Sequence, residues 1–345
     1  MGAPYKSIYV TRYMGSKLRL LDFIVPKILA MHKSNFVFVD LMAGTHALGY
    51  ALRDYASVIA NDVQRYSTLI GTALISNSTV QRVESDQRAE LNEEIRQLVP
   101  EGWFSKTYAD TYFSREQCRE VETIRSAISR HDDEPLRSIL LLALMYAMGY
   151  AQSSPGHFAQ YMPASHPRVQ SLRALSVRAA FRQYLEDVEI NVAGPSNEVH
   201  QRDVHEFLAN PPGATRQSAV VAYLDPPYST AQYSRYYHLL ETVVLDDEPE
   251  VAFKGLYRPD RFSSQFCSRS HVREEFRRVI QRTAELGWEL VISYGTHALL
   301  PAAELLNLAK QFYTRVEMSE QSYPHSMQGR GVVQDRSELI FVCRS

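Results

Sequence analysis

The sequence predicts an α/β fold: a doubly wound, mostly parallel seven-stranded sheet with an inserted, mainly helical module. Three observations support this prediction. Strand-like apolar runs alternate with helical stretches at both ends of the chain, four of these runs end at an aspartate, and a long middle interval is helical by period. Sheets of this kind bind ligands beyond the carboxyl ends of their strands, so the functional site is expected there.

The first strand–helix–strand unit shows the pattern most clearly. The run 35–41 is a predicted strand with Asp40 near its end, and a turn of small residues and a helix follow it. A second strand, 58–62, ends in Asp62. This is a βαβ unit, whose crossover is expected to be right-handed between parallel strands.

The strand pattern resumes late in the chain. Five more strands are predicted, at 198–203, 220–224, 289–294, 312–318 and 337–342. The first two place Asp203 and Asp225 at strand ends as well. We therefore assign 1–70 and 196–345 to one sheet domain and 71–195, which is helical by period and rich in charge, to the inserted module.

The composition limits the class of protein. With 345 residues and 45% hydrophobic content the chain can bury a core, and 37 basic against 39 acidic residues give a net charge of −2, which offers no support for a nucleic-acid partner. Cys118, Cys267 and Cys343 lie far apart, which argues against a zinc site and a disulfide framework, so no metal is predicted. The longest apolar run, 139–150, is too short to span a bilayer, which favours a cytoplasmic protein.

The most informative motif is Asp225-Pro226-Pro227-Tyr228, which follows the strand 220–224. Two prolines fix φ and remove two backbone donors, so the chain must leave the sheet there with its carbonyls pointing outward. The carboxylate and a carbonyl can accept N–H bonds from an amino group while the tyrosine ring stacks on a planar molecule. The motif therefore predicts a site for a planar amine.

The other strand-end acids also have ordinary structural interpretations. Asp40 with Ala43 and Gly44 suits the close approach of a nucleotide-like ligand, but a plain βα turn explains it equally well, and there is no GxGxxG fingerprint. Asp62 stands where a ribose-binding acid belongs, although such a strand end is more often a turn. Asp203 can simply cap the helix that follows it.

Together these motifs resemble the S-adenosylmethionine-dependent, adenine-specific DNA methyltransferases of the D12 (Dam-like) class. The resemblance rests on residues 12–17, 40–45, 61–62, 156–158, 203, 225–228 and 232–238. The order of cofactor motifs, long insert and catalytic motif agrees with that family. The resemblance implies a Rossmann-like, class I methyltransferase fold and target recognition by the insert 71–195. His46 stands where the family has a small residue.

The resemblance also implies roles for matching residues. The cofactor S-adenosylmethionine would be bound by Tyr13, Lys17, Asp40, Ala43, Gly44, Asp62, Asp203 and Asp225. Of these, Asp62 would take the ribose hydroxyls and Asp203 the adenine amine. Asp225 and the Pro226 carbonyl would accept hydrogen bonds from the N6 amine of an adenine flipped out of the duplex, and Tyr228 would stack on that base.

Substrate contacts are expected in both parts of the chain. They are Tyr228, Tyr233, Tyr236, Arg168, Arg173 and Arg178. The arginines belong to the stretch 164–184, which contains no acid and can contact phosphates or form an ordinary solvated face. A second basic stretch, 254–282, allows the same two interpretations. Of Tyr233, Tyr236 and Tyr237, at least one is expected only to pack in the core.

The sequence thus predicts a site-specific DNA adenine methyltransferase of restriction–modification or phage defence. It would act on double-stranded DNA at the nucleoid of a prokaryote or phage host, without a membrane, and a cognate restriction endonuclease or defence-system subunits are candidate partners. Two alternatives stay open. One is methylation of another amino group, in an RNA base or DNA cytosine; the other is a catalytically silent DNA-binding subunit of a defence complex, against which the intact Asp225 and Tyr228 argue.

Overall fold

The computed structural model describes residues 17–32, 35–76, 82–190, 197–216, 218–326 and 333–345. They form two compact units. The sheet unit comprises Lys17–Thr68, Ala193–Tyr233 and Phe262–Ser345, and the helical unit comprises Leu69–Val192 and Ser234–Arg261. Residues 234–261, which the sequence analysis assigns to the sheet domain, thus cluster with the helical unit.

Seven strands form one sheet in the sheet unit. They are β1 (Val37–Asp40), β2 (Ser57–Asp62), β3 (Glu198–Gln201), β4 (Val220–Leu224), β5 (Glu289–Gly295), β6 (Arg315–Ser326) and β7 (Val333–Arg344). Their spatial order is β3-β2-β1-β4-β5-β7-β6. The first five strands pair in parallel, and β7 runs antiparallel to both β5 and β6. The predicted doubly wound, mostly parallel α/β sheet is confirmed.

The sheet changes its direction of winding between β1 and β4. From β1 the chain builds outward through β2 to β3, and from β4 it builds outward through β5 on the other side. The crossover connections therefore leave a crevice beyond the carboxyl ends of β1 and β4, which is the ligand-binding position in open α/β sheets. Asp40 ends β1, and Asp225 follows β4 directly.

The last two strands are longer than the sequence predicts. The predicted start at residue 312 is too early, because the amides of Phe312 and Tyr313 still bond to the Ala309 carbonyl at the end of a helix. The hairpin then continues to the pair Ser326 and Val333. Hydrophobic pattern identifies only the part of a strand that packs on a core, and the polar outer part of this hairpin has no such pattern.

Fourteen α-helices occur in the described part of the chain. They are α1 (Leu21–Leu29), α2 (Ala47–Leu52), α3 (Arg65–Leu74), α4 (Ser85–Glu94), α5 (Trp103–Tyr108), α6 (Arg115–Ile128), α7 (Glu134–Ala151), α8 (Val169–Arg173), α9 (Val177–Asp187), α10 (Val204–Ala209), α11 (Tyr233–Tyr236), α12 (His238–Leu245), α13 (Val272–Glu285) and α14 (Ala302–Ala309). Short 3-10 helices cover Lys17–Arg19, Gly213–Arg216 and Gln265–Cys267.

One apolar core of the sheet unit lies on one face of the sheet. Side chains alternate along a strand, so Val220, Ala222 and Leu224 of β4 share the face that packs with buried residues of α10, α13 and α14. By the same alternation Ser293 of β5 and Glu338 of β7 belong to the opposite face. That face carries the polar residues of the candidate site.

Local sequence explains the main helices of the helical unit. Ser114 caps α6 in a reciprocal capping box with Gln117, and Asp133 accepts a hydrogen bond from the Leu136 amide at the start of α7. α7 contains the apolar run 139–150, and most of its residues are buried, as a buried helix requires. In the part of the chain that the structure describes, no helix has the length and apolar character needed to cross a membrane.

A buried carboxylate holds two helices of this unit together. Glu120 of α6 accepts hydrogen bonds from the Ser176 hydroxyl and from the Val177 amide, at the start of α9. It also pairs with the Arg178 side chain, at 3.1 Å. A negative charge at a helix N-terminus is favourable because the first amides lack partners within the helix. Glu120 therefore fixes the start of α9 against α6.

Candidate active site

Four aspartates lie at the carboxyl ends of adjacent strands. Asp40 and Asp62 are the last residues of β1 and β2, Asp225 follows β4, and Asp203 lies just beyond β3. Because these four strands are neighbours in the sheet, the acids share one edge. The structure therefore brings together the strand ends that the sequence analysis singles out.

The turn after β1 is held by the end of β2. Gly44 has a φ of 53°, in the left-handed region that favours glycine. Its amide donates to Asp62 Oδ2 at 2.9 Å, and the Ala43 amide donates to the Asn61 carbonyl at 2.9 Å. Asp62 thus positions the turn, and its carboxylate oxygens have lone pairs left for a further donor.

His46 occupies the position at which the resembling family has a small residue. It is buried, has a φ of 59°, and its Nε2 lies 2.7 Å from the Ser67 carbonyl oxygen of α3. Burial lowers the pKa of His46 to about 4, so the imidazole is neutral at physiological pH. The side chain fastens the turn to α3, which explains how a large residue is accommodated here.

Asn61 connects three strand ends. Its buried amide nitrogen donates to the Leu41 carbonyl after β1 at 3.2 Å and to the Arg202 carbonyl after β3 at 3.1 Å. A side-chain amide in the middle strand can satisfy two carbonyls at once where the ladder stops. The edge that carries the four aspartates is therefore a fixed structure.

Asp40 is the most deeply buried of the four acids. It is 2% exposed, and its Oδ1 has no hydrogen-bond partner among the residues that the structure describes. Burial, together with the nearby Asp225 and Asp62 carboxylates, raises the pKa of Asp40 well above its ordinary value. A buried acceptor without a donor is expensive, so this atom suits a ligand that brings a donor or a positive charge.

Asp203 has the structural role that the sequence analysis weighs against its functional one. Its Oδ1 accepts a hydrogen bond from the His205 amide at 2.9 Å, and it is the N-cap of α10. The cap uses one lone pair of one oxygen, so capping and ligand binding are compatible.

Asp225 lies where β4 stops and pairs with Lys17. The Lys17 ammonium is 2.8 Å from Oδ1 and 2.8 Å from Oδ2 of Asp225. The two prolines that follow Asp225 cannot donate to a neighbouring strand, so the ladder ends at Leu224 as the sequence predicts. The charged pair is largely shielded from water, with side-chain exposures of 7% and 19%.

The Tyr228 hydroxyl lies between two carboxylates. It is 2.6 Å from Asp225 Oδ1 and also hydrogen-bonds to Glu338 Oε1, and Ser293 donates to the same Glu338 oxygen. Lys17 reaches this group too, at 2.9 Å from the hydroxyl and 3.4 Å from Glu338 Oε1. We call Lys17, Asp225, Tyr228, Ser293 and Glu338 the strand-end cluster.

The ring of Tyr228 is fixed as firmly as its hydroxyl. Its edge packs on Tyr294 in a T-shaped contact with centroids 5.4 Å apart, and a Cβ at Gly295 would approach the ring to 3.0 Å. The Tyr228 carbonyl accepts from the Leu299 amide at 3.1 Å. A side chain at 295 would therefore crowd the ring where it lies against β5.

Electrostatics within the strand-end cluster oppose full ionisation. Burial raises the pKa of Asp225, although the charge of Lys17 acts in the opposite direction. Burial and the two carboxylates raise the pKa of Tyr228, which keeps the phenol protonated as a donor. Burial alone would lower the pKa of Lys17, but Asp225 and Glu338 raise it. The cluster thus has one ammonium against two carboxyl groups, with Asp40 close by.

The predicted substrate residues fall into both units. Tyr233 belongs to the sheet unit and acts electrostatically on Lys17, whereas Tyr236 belongs to the helical unit, where its ring lies 4.8 Å from that of His157. Tyr237 is fully buried, as expected for a packing residue. Tyr13 lies outside the described residues.

The three predicted arginines differ in how their side chains are used. Arg178 binds Glu120 and donates to the carbonyls of Ile95 and Arg96, and Arg173 donates to the Thr111 carbonyl. Arg168 is exposed. Contact with DNA stays a prediction for all three, and these internal contacts favour a structural role for Arg178.

Two members of the strand-end cluster, Ser293 and Glu338, are not among the residues predicted from the sequence. The available signal was a single acid beside the apolar run Leu339–Val342 of a predicted strand, since an acid there has to be buried and paired. What the sequence cannot provide is its partner, because β7 pairs with β5 in an antiparallel register. Within the described ranges, no group of three or more His, Cys, Asp or Glu residues is placed to hold a metal ion.

Comparison with known proteins gives consistent matches. Type II methyltransferase M.NlaIII of Neisseria lactamica is 28% identical over 318 residues, which cover 87% of this chain and 88% of that protein. Type II methyltransferase M.FokI of Planomicrobium okeanokoites and Modification methylase LlaI of Lactococcus lactis subsp. lactis are each 26% identical over 87% of this chain. The chain spans about half the length of these last two proteins, 46% and 49%.

A family model agrees with the motifs and the fold. The model described as D12 class N6 adenine-specific DNA methyltransferase matches residues 13–297, which include all four strand-end aspartates and the Asp-Pro-Pro-Tyr motif. The extent of this match agrees with the position of the four aspartates at the edge of the sheet where its direction of winding changes. The chain belongs to the D12 class N6 adenine-specific DNA methyltransferase family.

Proposed function

We propose that the protein transfers a methyl group from S-adenosylmethionine to the N6 amine of an adenine flipped out of double-stranded DNA, at a specific sequence. The observation that carries this proposal is the position of Asp225 and Tyr228. They lie at the end of β4, at the switch point of the sheet, in a buried polar cluster with surplus negative charge. The names of the relatives, methyltransferases and modification methylases, support a place in restriction–modification.

The residues at the strand ends fit the proposed cofactor. The Asp40 Oδ1 without a partner among the described residues is a natural acceptor for an ammonium group, and the surplus of buried carboxyl groups suits a cationic ligand. When bound, S-adenosylmethionine supplies an activated methyl group. The Gly44 turn, with Ala43, allows close backbone approach.

The remaining cofactor contacts are assigned by position along the edge. Asp62, on β2, would accept from the ribose hydroxyls, and Asp203, beyond β3, from the adenine amine. Tyr13 and Lys17 would contact the methionine end. This order follows the strands outward from β1, as expected for a nucleoside lying across the carboxyl edge of such a sheet.

The target amine would bind at the motif after β4. Asp225 and the Pro226 carbonyl would accept its N–H groups, which draws the nitrogen lone pair out of conjugation with the ring and directs it towards the methyl group. Flipping an adenine costs a few kcal/mol, and stacking on Tyr228 would offset part of that. Tyr233 and Tyr236 are proposed to line the space around the base.

Target recognition is proposed for the insert 71–195 of the predicted domain division, with 1–70 and 196–345 as the catalytic domain. Arg168, Arg173 and Arg178 are the proposed phosphate contacts, of which the exposed Arg168 is the best supported. A cognate restriction endonuclease or other defence-system subunits are the proposed partners. The protein is expected to act at the nucleoid, where its substrate is.

The test is methyl transfer by the purified protein from radiolabelled S-adenosylmethionine to duplex DNA, to RNA, or with no nucleic acid added. We expect label in duplex DNA as N6-methyladenine. Label in RNA or in DNA cytosine would replace the proposed substrate, and no label in any sample would indicate a silent DNA-binding subunit. Sequencing genomic DNA from cells that express the protein identifies the methylated site.

Replacement of the acceptor tests the assigned chemistry. Asp225→Ala should lower methyl transfer by about a thousandfold or more, because the acceptor for the charge that develops on the amine is lost. Cofactor binding, followed by calorimetry, should persist. The matched control is Asp54→Ala, which removes an exposed aspartate of the same unit and should transfer methyl groups at the normal rate. Methylation by Asp225→Ala at the control rate would refute the role of Asp225.

A further inference from the structure

The strand-end cluster has a feature that the proposed chemistry does not explain. Asp225 has to accept the target amine, yet the Lys17 ammonium lies 2.8 Å from each of its carboxylate oxygens. The Tyr228 hydroxyl takes a further position on Oδ1, at 2.6 Å. A carboxylate held by an ammonium and a phenol is a weaker acceptor for a neutral amine, since both donors compete for its lone pairs.

A second carboxylate is placed to receive both donors. Glu338 Oε1 is 3.4 Å from the same Lys17 nitrogen, against 2.8 Å for Asp225, a difference of 0.6 Å (3.4 − 2.8). The Tyr228 hydroxyl also bonds to this oxygen. Because that hydroxyl has one hydrogen, it can serve Asp225 or Glu338 but not both.

Glu338 itself is held firmly in place. It is 1% exposed, it lies on β7 opposite Gly295 of β5, and Ser293 donates to its Oε1. A fixed and buried carboxyl group 3.4 Å from the Lys17 ammonium is well placed to accept it without any movement of the backbone. Asp225 and Glu338 thus share two donors, the Lys17 ammonium and the Tyr228 hydroxyl.

We propose that Glu338 is a positioning residue that takes Lys17 and the Tyr228 hydroxyl from Asp225 when the target amine enters, which leaves the Asp225 carboxylate to the amine. The proposal rests on the proposed function. It makes Lys17 a resident cation that neutralises Asp225 in the absence of substrate and is released to Glu338 for turnover. If Glu338 only balanced the charge of Lys17, its removal would not change how well Asp225 accepts the target amine.

The experiment is a double-mutant cycle of Glu338→Gln and Lys17→Met. It measures single-turnover methyl transfer at saturating cofactor, on a duplex with the site found methylated in expressing cells. Glu338→Gln keeps the shape and the acceptor for Ser293 but removes the charge that attracts Lys17. We expect it to slow transfer tenfold or more when Lys17 is present and less than threefold in the Lys17→Met background. The cofactor affinity of Glu338→Gln without DNA should stay within threefold of the wild type.

Equal fold losses in the two backgrounds would overturn the proposal, as would a normal rate for Glu338→Gln. The matched control is Glu289→Gln, which changes a half-buried carboxylate at the opposite end of β5 and should keep the wild-type rate. If Glu338→Gln does not fold, Ser293→Ala replaces it in the cycle, since this variant frees the Glu338 side chain but retains its charge. Ser293→Ala is expected to slow methyl transfer about threefold when Lys17 is present and not at all in the Lys17→Met background. The same threefold loss in the Lys17→Met background would refute the transfer of the two donors from Asp225 to Glu338.

The result separates the two proposals. A wild-type protein that methylates DNA, with an additive cycle, refutes the exchange and leaves the function intact. A wild-type protein that methylates no nucleic acid refutes the proposed function itself.

Discussion

Two charged networks of this protein have the same formal composition and opposite electrostatic behaviour. In the helical unit, Arg258 binds the carboxylates of Asp247 and Asp260. In the sheet unit, Lys17 binds those of Asp225 and Glu338. Each network has one cation and two acids, and in each the cation is buried.

The difference lies in the hydration of the acids. Asp247 and Asp260 are 42% and 62% exposed, whereas Asp225 and Glu338 are 19% and 1% exposed. The hydrogen bond to Arg258 therefore lowers the pKa of Asp260, while burial raises the pKa of Asp225. Water solvates the surplus negative charge of the Arg258 network. The surplus negative charge of the Lys17 network is shielded from water.

The Arg258 network is therefore interpreted as structural and the Lys17 network as part of a ligand-binding site. A network whose acids reach water is satisfied without a ligand and stabilises the unit that contains it. A network that retains buried negative charge is destabilising by itself and gains from a cationic ligand.

Arg258→Ala should lower the free energy of unfolding by about 2 kcal/mol, less than is usual for a broken buried pair because both acids keep access to water. The measurement is urea denaturation. Arg273→Ala, which removes an exposed partner of Glu304, is the matched control and should change the free energy by less than about 1 kcal/mol. A loss no larger than that of the control would show that the Arg258 network is not a scaffold.

Asp40→Asn should raise the free energy of unfolding of the ligand-free protein by about 1 kcal/mol at pH 7.5. The folded-state pKa of Asp40 is raised, so its ionisation destabilises the fold progressively as the pH rises above about 4, the ordinary aspartate value. The gain should therefore disappear towards pH 4. The same variant should bind the cofactor more weakly, measured by calorimetry.

Asp260→Asn should change the free energy of unfolding in the direction opposite to Asp40→Asn. The folded-state pKa of Asp260 is lowered, so its contribution to stability is present above about pH 4 and is lost as the pH falls through the folded value. The variant should therefore be less stable than the wild type at pH 7.5 and equal to it in strong acid. Shifts of the same sign for Asp40→Asn and Asp260→Asn would contradict the comparison of the two networks.

Arg168→Ala should reduce the slope of log K for DNA binding against log salt concentration by about 1, as expected for one lost phosphate contact. Arg178→Ala should reduce the slope less than Arg168→Ala does, because its guanidinium is also bound to Glu120 and to two carbonyls. Fluorescence titration of a labelled duplex at several salt concentrations measures both. Equal slopes for the two variants would contradict the expectation that the exposed Arg168 contacts phosphate more than the internally bound Arg178 does.

Much of the fold and part of the site follow from local sequence. The apolar runs before Asp40, Asp62 and Asp225 are β1, β2 and β4, because short buried strands carry their signal in consecutive residues. The two prolines end β4 at Leu224 for a purely local reason. The ends of the last two strands are less well predicted, since the polar part of their hairpin has no hydrophobic period.

The division into units shows a limit of sequence reasoning. Residues 234–261 follow the motif at 225 closely along the chain, yet they cluster with the helical unit. Tyr108 and Tyr112 of that unit bond to the carbonyls of Leu256 and Gly255, across more than a hundred residues. Contacts of this kind have no signature in a linear pattern.

By itself, the sequence of this protein determined the strands, the acids at their ends and the Asp-Pro-Pro-Tyr motif, and so the class of chemistry. Tertiary structure alone decided which charges meet. Glu338 reaches Tyr228 only because β7 inserts antiparallel beside β5, and Lys17 reaches Asp225 from a distant part of the chain. Backbone preferences act between neighbours in sequence, whereas the balance of buried charge depends on which strands pair and on how far water enters.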